Sequence, residues 1–256
     1  MTIGQGIILF LVALLGGALN SVAGGGSLLA FPALIFTGVP AINANATTTV
    51  ALWPGAVASA AAYRKEMETA RALLLLMAGI GVVGGVLGAL LLLHTPQKTF
   101  SQLIPYLMLL ATVLFAFGGA AARWLRERMA QRGISPLVMT IGVALLQIPI
   151  SIYGGFFGGG IGILMLATLS LTGMKSLHTM NALKTLLAAC INGAAVITFI
   201  LARAVFWPQA LVMVVGAVVG GYGGARIARR LDQRIVRAFV ICAGCALTLY
   251  FFIHGA

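Results

Sequence analysis

The chain has 256 residues, 61% hydrophobic and only 8% charged, with a mean hydropathy of +1.09. Soluble domains carry about 25% charged residues, so this composition excludes a soluble globular protein and implies a polytopic membrane one. The net charge of +12 does not point to nucleic acid, because twelve of the sixteen cations fall in three short stretches between apolar runs, the signature of membrane topology.

In chain order, the first apolar run spans 3–22 and has no cationic flank before it. It reads as a membrane segment rather than a cleaved signal peptide. It ends in "NSVAGGGSLLAFP", Asn20 to Pro32, where Gly24, Gly25 and Gly26 interrupt the apolar sequence. A glycine inside a helix costs roughly 1 kcal/mol relative to alanine, so three in a row predict a break. The next run, 27–38, has 12 residues, too few to cross about 30 Å of hydrocarbon. Segments at 43–62, 72–93 and 101–122 follow. A basic stretch at 63–71 (Arg64, Lys65, Arg71) separates the third from the fourth, and another at 123–132 (Arg123, Arg126, Arg128, Arg132) follows the fifth.

The same order then returns. Runs at 137–157, 160–173, 178–201, 207–225 and 236–254 form a second set of five, and Gly158, Gly159 and Gly160 precede another short member. "NATTTVA" from Asn45 matches "NALKTLL" from Asn181, and "VVGGVLGA" from Val82 matches "VVGGYGGA" from Val218. Together with the glycine triplets, the offsets are 134, 136 and 136 residues. The expected fold is therefore all-α, a single membrane domain over 1–256 with an internal repeat of 1–125 and 135–256. It contains about eight full spans and two short half-helices after the glycine turns.

Charge gives the direction of the repeat. The counterpart of basic loop 63–71 is "RAVFWP", with one cation, whereas the counterpart of the weakly charged "HTPQK" is 226–237, with five. The basic side has switched between the halves, as an inverted repeat of five segments requires. All three basic loops are then cytoplasmic. Inverted repeats with broken helices are a plan of secondary transporters. Each half-helix offers N–H groups and a positive dipole end at its first turn, suited to an anion. The remaining glycines, "VVGG" in both halves included, are expected to serve close helix packing.

All four acids, Glu66, Glu68, Glu127 and Asp232, lie in or beside basic stretches. With no carboxylate inside the membrane, an anionic or neutral substrate is favoured over a cation. Lys184 is the one cation well inside an apolar run. At roughly 2.5–3.5 kcal/mol for a central lysine, it calls for a counter-charge, unless its segment starts later and the side chain snorkels to the surface. Asn45, Thr47, Thr48 and Thr49 in the first half, with Asn181 and Thr185 in the second, offer uncharged hydrogen bonds to an oxyanion, or ordinary contacts between helices. Asn20, Ser21 and Ser27 flank the first glycine turn and Tyr153 precedes the second. They either line a cavity or cap freed backbone groups. Cys190, Cys242 and Cys245 have no ligand partners nearby in the sequence, so no metal or cofactor is expected. The expected partners are a small anion and the lipid bilayer, and a homo-oligomer is compatible with this composition.

The ordered stretch "GGGSLLAFPALIFTGVPAINANATTTVA", with a second glycine-rich half, resembles the sulfite exporter TauE/SafE family of bacterial membrane proteins, over nearly the whole chain. The resemblance implies a plasma-membrane permease for sulfite, sulfoacetate or other small organosulfonate and carboxylate anions, often exported. It also implies a transport path at the two glycine turns and near Asn45 and Asn181. This chain departs from a symmetric pattern by placing "ALKT" where the first half has "ATTT", with no proline matching Pro32. An anion channel is a mild variant of this reading. An intramembrane serine enzyme built on "GGGS" would need an imidazole in reach of Ser27, but His94, His178 and His254 all fall near segment ends. A purely structural membrane protein is the remaining alternative.

Overall fold

The computed structural model describes residues 1–22, 24–62, 71–131, 135–172, 177–227 and 233–255. Ten helices follow one another: α1 (Ile3–Val22), α2 (Ser27–Phe36), α3 (Ala41–Ala62), α4 (Arg71–His94) and α5 (Gln97–Gln131) form the first half. The second half has α6 (Pro136–Phe156), α7 (Ile161–Leu171), α8 (Leu177–Leu201), α9 (Trp207–Ile227) and α10 (Gln233–His254). The two expected short helices are present, with 10 residues in α2 and 11 in α7. Arg64, Lys65, Glu66, Glu68, Arg132, Arg229, Arg230 and Asp232 lie outside the described residues.

Among the described residues, six helices (α1, α4, α5, α6, α8 and α10) are long and apolar enough to cross a membrane. α3 and α9 have similar lengths, 22 and 21 residues. Their apolarity is diluted by Asn43, Asn45 and the threonine run in α3, and by Gln209 and a cluster of glycines in α9. One boundary differs from the sequence expectation. The fifth segment does not stop at 122, for α5 continues to Gln131. The added stretch "ARWLRERMAQ" is made of good helix formers, and no glycine interrupts it before Gly133. Arg123 and Arg128 therefore stand on the end of a long helix, where the Arg128 guanidinium stacks 4.8 Å above Trp124.

The helices pair across the halves. α1 packs on α9 as α6 packs on α4; α3 meets α9 as α8 meets α4; α3 meets α8, and α5 meets α10. Every one of these contacts has a counterpart when the halves are exchanged. Glycine makes the closest of them. A Cβ on Gly85 would lie 2.4 Å from the Ile191 carbonyl oxygen, and one on the equivalent Gly221 would lie 2.6 Å from that of Gly55. No side chain fits at such a distance, so the "VVGG" glycines serve helix packing. α8 lies at the centre: 61% of its apolar stretch is buried, against 28–39% for the other five spans. The other long helices turn large apolar side chains outward, among them Leu75, Phe117, Leu211 and Ile253. That is the pattern a lipid-facing surface requires.

Candidate functional site

The first turn joins the end of α1 at Val22 to the start of α2 at Ser27. Gly24 and Gly25 have φ of +78° and +103°, left-handed values that a side chain opposes. Asn20 braces the turn, its Oδ1 accepting from the Gly26 N–H at 2.8 Å. The Leu28 and Leu29 N–H groups donate to the carbonyls of Gly25 and Gly26, so the first turn of α2 is partly closed on itself. Ser21 is buried and its hydroxyl donates to the Ala18 carbonyl. Ser27 is half-buried.

The second turn is built differently. Gly158 and Gly160 have φ of +75° and +78°, and Tyr153 replaces the asparagine brace, donating its hydroxyl to the Gly159 carbonyl at 2.7 Å. Among the described residues no hydrogen bond occupies the N–H groups of Gly159 or Gly160. Asn45 of α3 reaches over to this turn, its Nδ2 donating to the Phe156 carbonyl at 2.9 Å. That carbonyl is one of those left free where α6 ends. The two turns touch: a Cβ on Gly24 would lie 3.4 Å from the Cα of Gly162, in the first turn of α7. Asn20, Asn45 and Tyr153 thus hold backbone in place around a point where the two glycine turns meet.

Side chains on α3 and α8 supply the remaining chemistry. Thr49 and Thr185, at equivalent positions, donate to the carbonyls of Asn45 and Asn181, one turn back on their own helices. Between them on each helix sits one buried polar group without a partner. On α3 it is the Thr48 hydroxyl and on α8 the Lys184 ammonium, and the Asn181 Oδ1 is also unpartnered. Thr48 and Lys184 are 136 residues apart, so the match of "NATTTVA" with "NALKTLL" sets them at one position. Lys184 is 2% exposed, 7 residues into α8, so it does not snorkel. Asn181 lies three positions before it, on the same helix face. Among the described residues Lys184 is the sole buried charge.

Helices α3 and α8 are joined near their middles, where the Trp53 indole N–H donates to the Ala189 carbonyl at 2.8 Å. Trp53 and Ala189 are again 136 apart, so equivalent positions meet at the crossing. The loop end of α3 is tied down by the Asn43 side chain, which donates to the Ala204 carbonyl, and by Thr47, whose hydroxyl accepts from the Phe206 N–H.

Two buried residues escaped the sequence reading. Gln147 of α6 is fully buried with both amide atoms unpartnered, and the Ser59 hydroxyl of α3 is buried and unpartnered as well. The signal for Gln147 was its isolation as the one polar side chain in "GVALLQIPI". Ser59, in an alanine-rich stretch, gave none. Arg237, counted in the sequence among the basic stretch 226–237, is half-buried on α10. Its Nε and Nη2 donate to the carbonyls of Phe115 and Ala116 on α5, at 3.2 and 2.6 Å.

Comparison with known proteins agrees with this architecture. The model of the sulfite exporter TauE/SafE family matches residues 9–251. The chain belongs to the TauE/SafE family. Within TauE/SafE, it is 28% identical over 251 residues to the "probable membrane transporter protein YfcA" of Escherichia coli K12, covering 97% of this chain and 90% of that one. A "probable membrane transporter protein" of Haemophilus influenzae is 28% identical over 244 residues, 94% of this chain and 92% of its own. One from Xylella fastidiosa Temecula1 is 31% identical over 237 residues, 91% and 85% of the two chains. No solved structure matches the chain. This TauE/SafE member is a membrane transporter, and the family and its relatives' names indicate transport rather than enzymatic catalysis.

Proposed function

We propose that this transporter is a secondary exporter of a small anion, such as sulfite or an organosulfonate, working by alternating access in the bacterial inner membrane. The observation that carries the reading is Lys184. A lone ammonium held away from water without a partner is unfavourable, and its helix is the most buried of the six spans. A substrate anion supplies the missing charge, with the Thr48 hydroxyl and the Asn181 amide completing its hydrogen bonds. Asn20, Ser21, Asn45, Thr49, Tyr153 and Thr185 hold the surrounding backbone. The Gly159 and Gly160 N–H groups carry no hydrogen bond among the described residues and are available as backbone donors.

The switched charge pattern supports inversion of the two halves, and the exchange of helix partners between them suits two bundles rocking about α3 and α8. Basic stretches 63–71, 123–132 and 226–237 are then cytoplasmic. The family's description as sulfite exporters supports outward transport.

The test is flux. Purified protein in proteoliposomes is expected to move sulfite or a sulfonate down an imposed gradient. A thermal-shift panel of sulfur oxyanions, sulfonates and carboxylates should reveal which anion stabilises the protein. If no anion of the panel is moved and none stabilises the protein, the reading is wrong.

A further inference from the structure

Two stripes of buried residues bring a second unpartnered polar side chain to the level of Lys184. We propose that Gln147 of α6 contacts the transported anion from across the site, its amide facing the Lys184 ammonium. This rests on the reading of Lys184 as the anion's partner.

The direction of α6 relative to α8 follows from how their ends are held. Asn43 and Thr47, early in α3, bond the Ala204 carbonyl and the Phe206 N–H, just beyond the C-terminal end of α8. Asn45, between them, bonds the Phe156 carbonyl at the C-terminal end of α6. One stretch of α3 thus holds both C-terminal ends, and α6 and α8 run parallel. They meet at Gly154, where an added Cβ would lie 3.0 Å from Cγ2 of Ile191. Seven residues before that contact stand Gln147 on α6 and Lys184 on α8. Seven residues is close to two helical turns, about 10 Å. Each residue therefore returns to the face that its helix turns toward the other, and both sit at one level.

Burial repeats the pattern. On α6, Val143, Gln147, Ile150 and Gly154 are buried, while Leu146 and Ile148 face outward. On α8, Met180, Lys184, Leu187 and Ile191 are buried at the same spacing. The apolar members other than the glycine belong to one packed cluster, so Gln147 and Lys184 are the polar step in two otherwise apolar stripes. The Gln147 amide lies beside α4: a Cβ on Gly81 would be 4.0 Å from its Nε2 and 3.1 Å from Cγ1 of Ile191.

Yet the two side chains do not satisfy each other. The Lys184 Nζ and both amide atoms of Gln147 are buried without hydrogen-bond partners among the described residues. Buried polar groups are nearly always bonded, and two that face each other unbonded leave the space between them to a ligand. An anion there accepts from the ammonium on one side and from the Gln147 amide N–H on the other. The matched residues of the first half are Ala13, at the 134-residue offset of the glycine triplets, and Thr48, at the offset of 136. Such a pair therefore has no counterpart there.

Two measurements on the purified full-length protein test this: equilibrium binding of sulfite and of methanesulfonate, and Tm in detergent without ligand. Gln147→Leu removes the unpaired amide at similar size. It is expected to hold or raise Tm while weakening probe binding about tenfold, the loss of one hydrogen bond to a charged group. Gln147→Glu places a carboxylate opposite the ammonium. It should raise Tm where Lys184 is present, lower it in the Lys184→Met background, where the new charge is buried alone, and weaken both probes by more than tenfold, because the protein then carries its own counter-charge. Unchanged affinity in Gln147→Leu, with Lys184→Met still weakening the probes, overturns the role of Gln147 and leaves Lys184 in the site. A Tm lowered by Gln147→Glu whether or not Lys184 is present shows that the two do not face each other, and overturns it as well. Should Gln147→Leu lose stability, that coupling between Gln147→Glu and Lys184→Met decides. Affinity unchanged in both Lys184→Met and Gln147→Leu overturns the underlying reading of Lys184. Failure of the unmodified protein to bind either probe overturns the sulfur-oxyanion reading and the proposal with it.

Discussion

Helices α3 and α8 match in sequence at an offset of 136 residues, yet they carry different side chains at one matched position. Both carry, four residues after their first residue, an asparagine whose carbonyl accepts from a threonine one turn later, Asn45 with Thr49 and Asn181 with Thr185. Both cross at equivalent residues through Trp53 and Ala189. Between asparagine and threonine, α3 places a hydroxyl and α8 a buried ammonium. The glycine turns show the same contrast: an asparagine amide braces the first, a tyrosine hydroxyl the second. Packing in this molecule is shared by the halves while chemistry is not. The reason is that helix contacts depend on small residues at fixed spacing, which any pair of matched glycines satisfies, whereas one side chain suffices to set the charge of a site.

The largest expected effect breaks this contrast. Lys184→Met makes α8 as uncharged as α3, and substrate affinity should fall by about 2–5 kcal/mol, the loss typical of removing one partner of a buried ionic contact. Equilibrium binding of the identified anion measures it, and an unchanged Kd shows that the two helices do not differ in function at this position.

Next come the glycines on which the shared packing depends. Gly85→Ala and Gly221→Ala each drive a Cβ into a carbonyl oxygen of a neighbouring helix, at 2.4 and 2.6 Å. Each should destabilise the protein by about 1–3 kcal/mol, seen as a lowered Tm in detergent. Similar losses sharpen the case for equivalent packing, and a loss confined to one variant breaks it. Gly79→Ala is the control: nothing lies within 4 Å of its added Cβ, so stability should hold or rise by up to about 1 kcal/mol.

The braces of the turns come third. Asn20→Ala strips the Gly26 N–H of its acceptor and should cost about 1–3 kcal/mol if that group stays buried and unpaired. Tyr153→Phe removes a donor from the Gly159 carbonyl, which retains other ways to be satisfied, and should cost only about 0.5–1.5 kcal/mol. A larger loss for Tyr153→Phe reverses the ranking of the two turns.

Much of this was legible in the residues themselves. The α1 run was read as 3–22 and the helix is Ile3–Val22; the short elements after each glycine triplet were placed within a few residues. Those are local features, set by hydropathy and by backbone breaks. The end of α5 was misplaced by nine residues, because the arginines of 123–131 were read as loop for their charge, although their helix propensity is high. Gln147 and Ser59 went unnoticed because a single polar residue in an apolar run does not reveal which way it faces.

The sequence alone determined the membrane class, the ten segments, the paired glycine turns and the correspondence of Thr48 with Lys184, since each follows from composition or spacing along the chain. Only the tertiary structure decided that Lys184 is buried rather than snorkelling, that Asn20, Asn45 and Tyr153 spend their hydrogen bonds on the turns, and that the first turn meets α7 at Gly24 and Gly162. Burial and partnership depend on what α3, α6 and α8 bring together from distant parts of the chain, and periodicity within one helix carries no record of its neighbours.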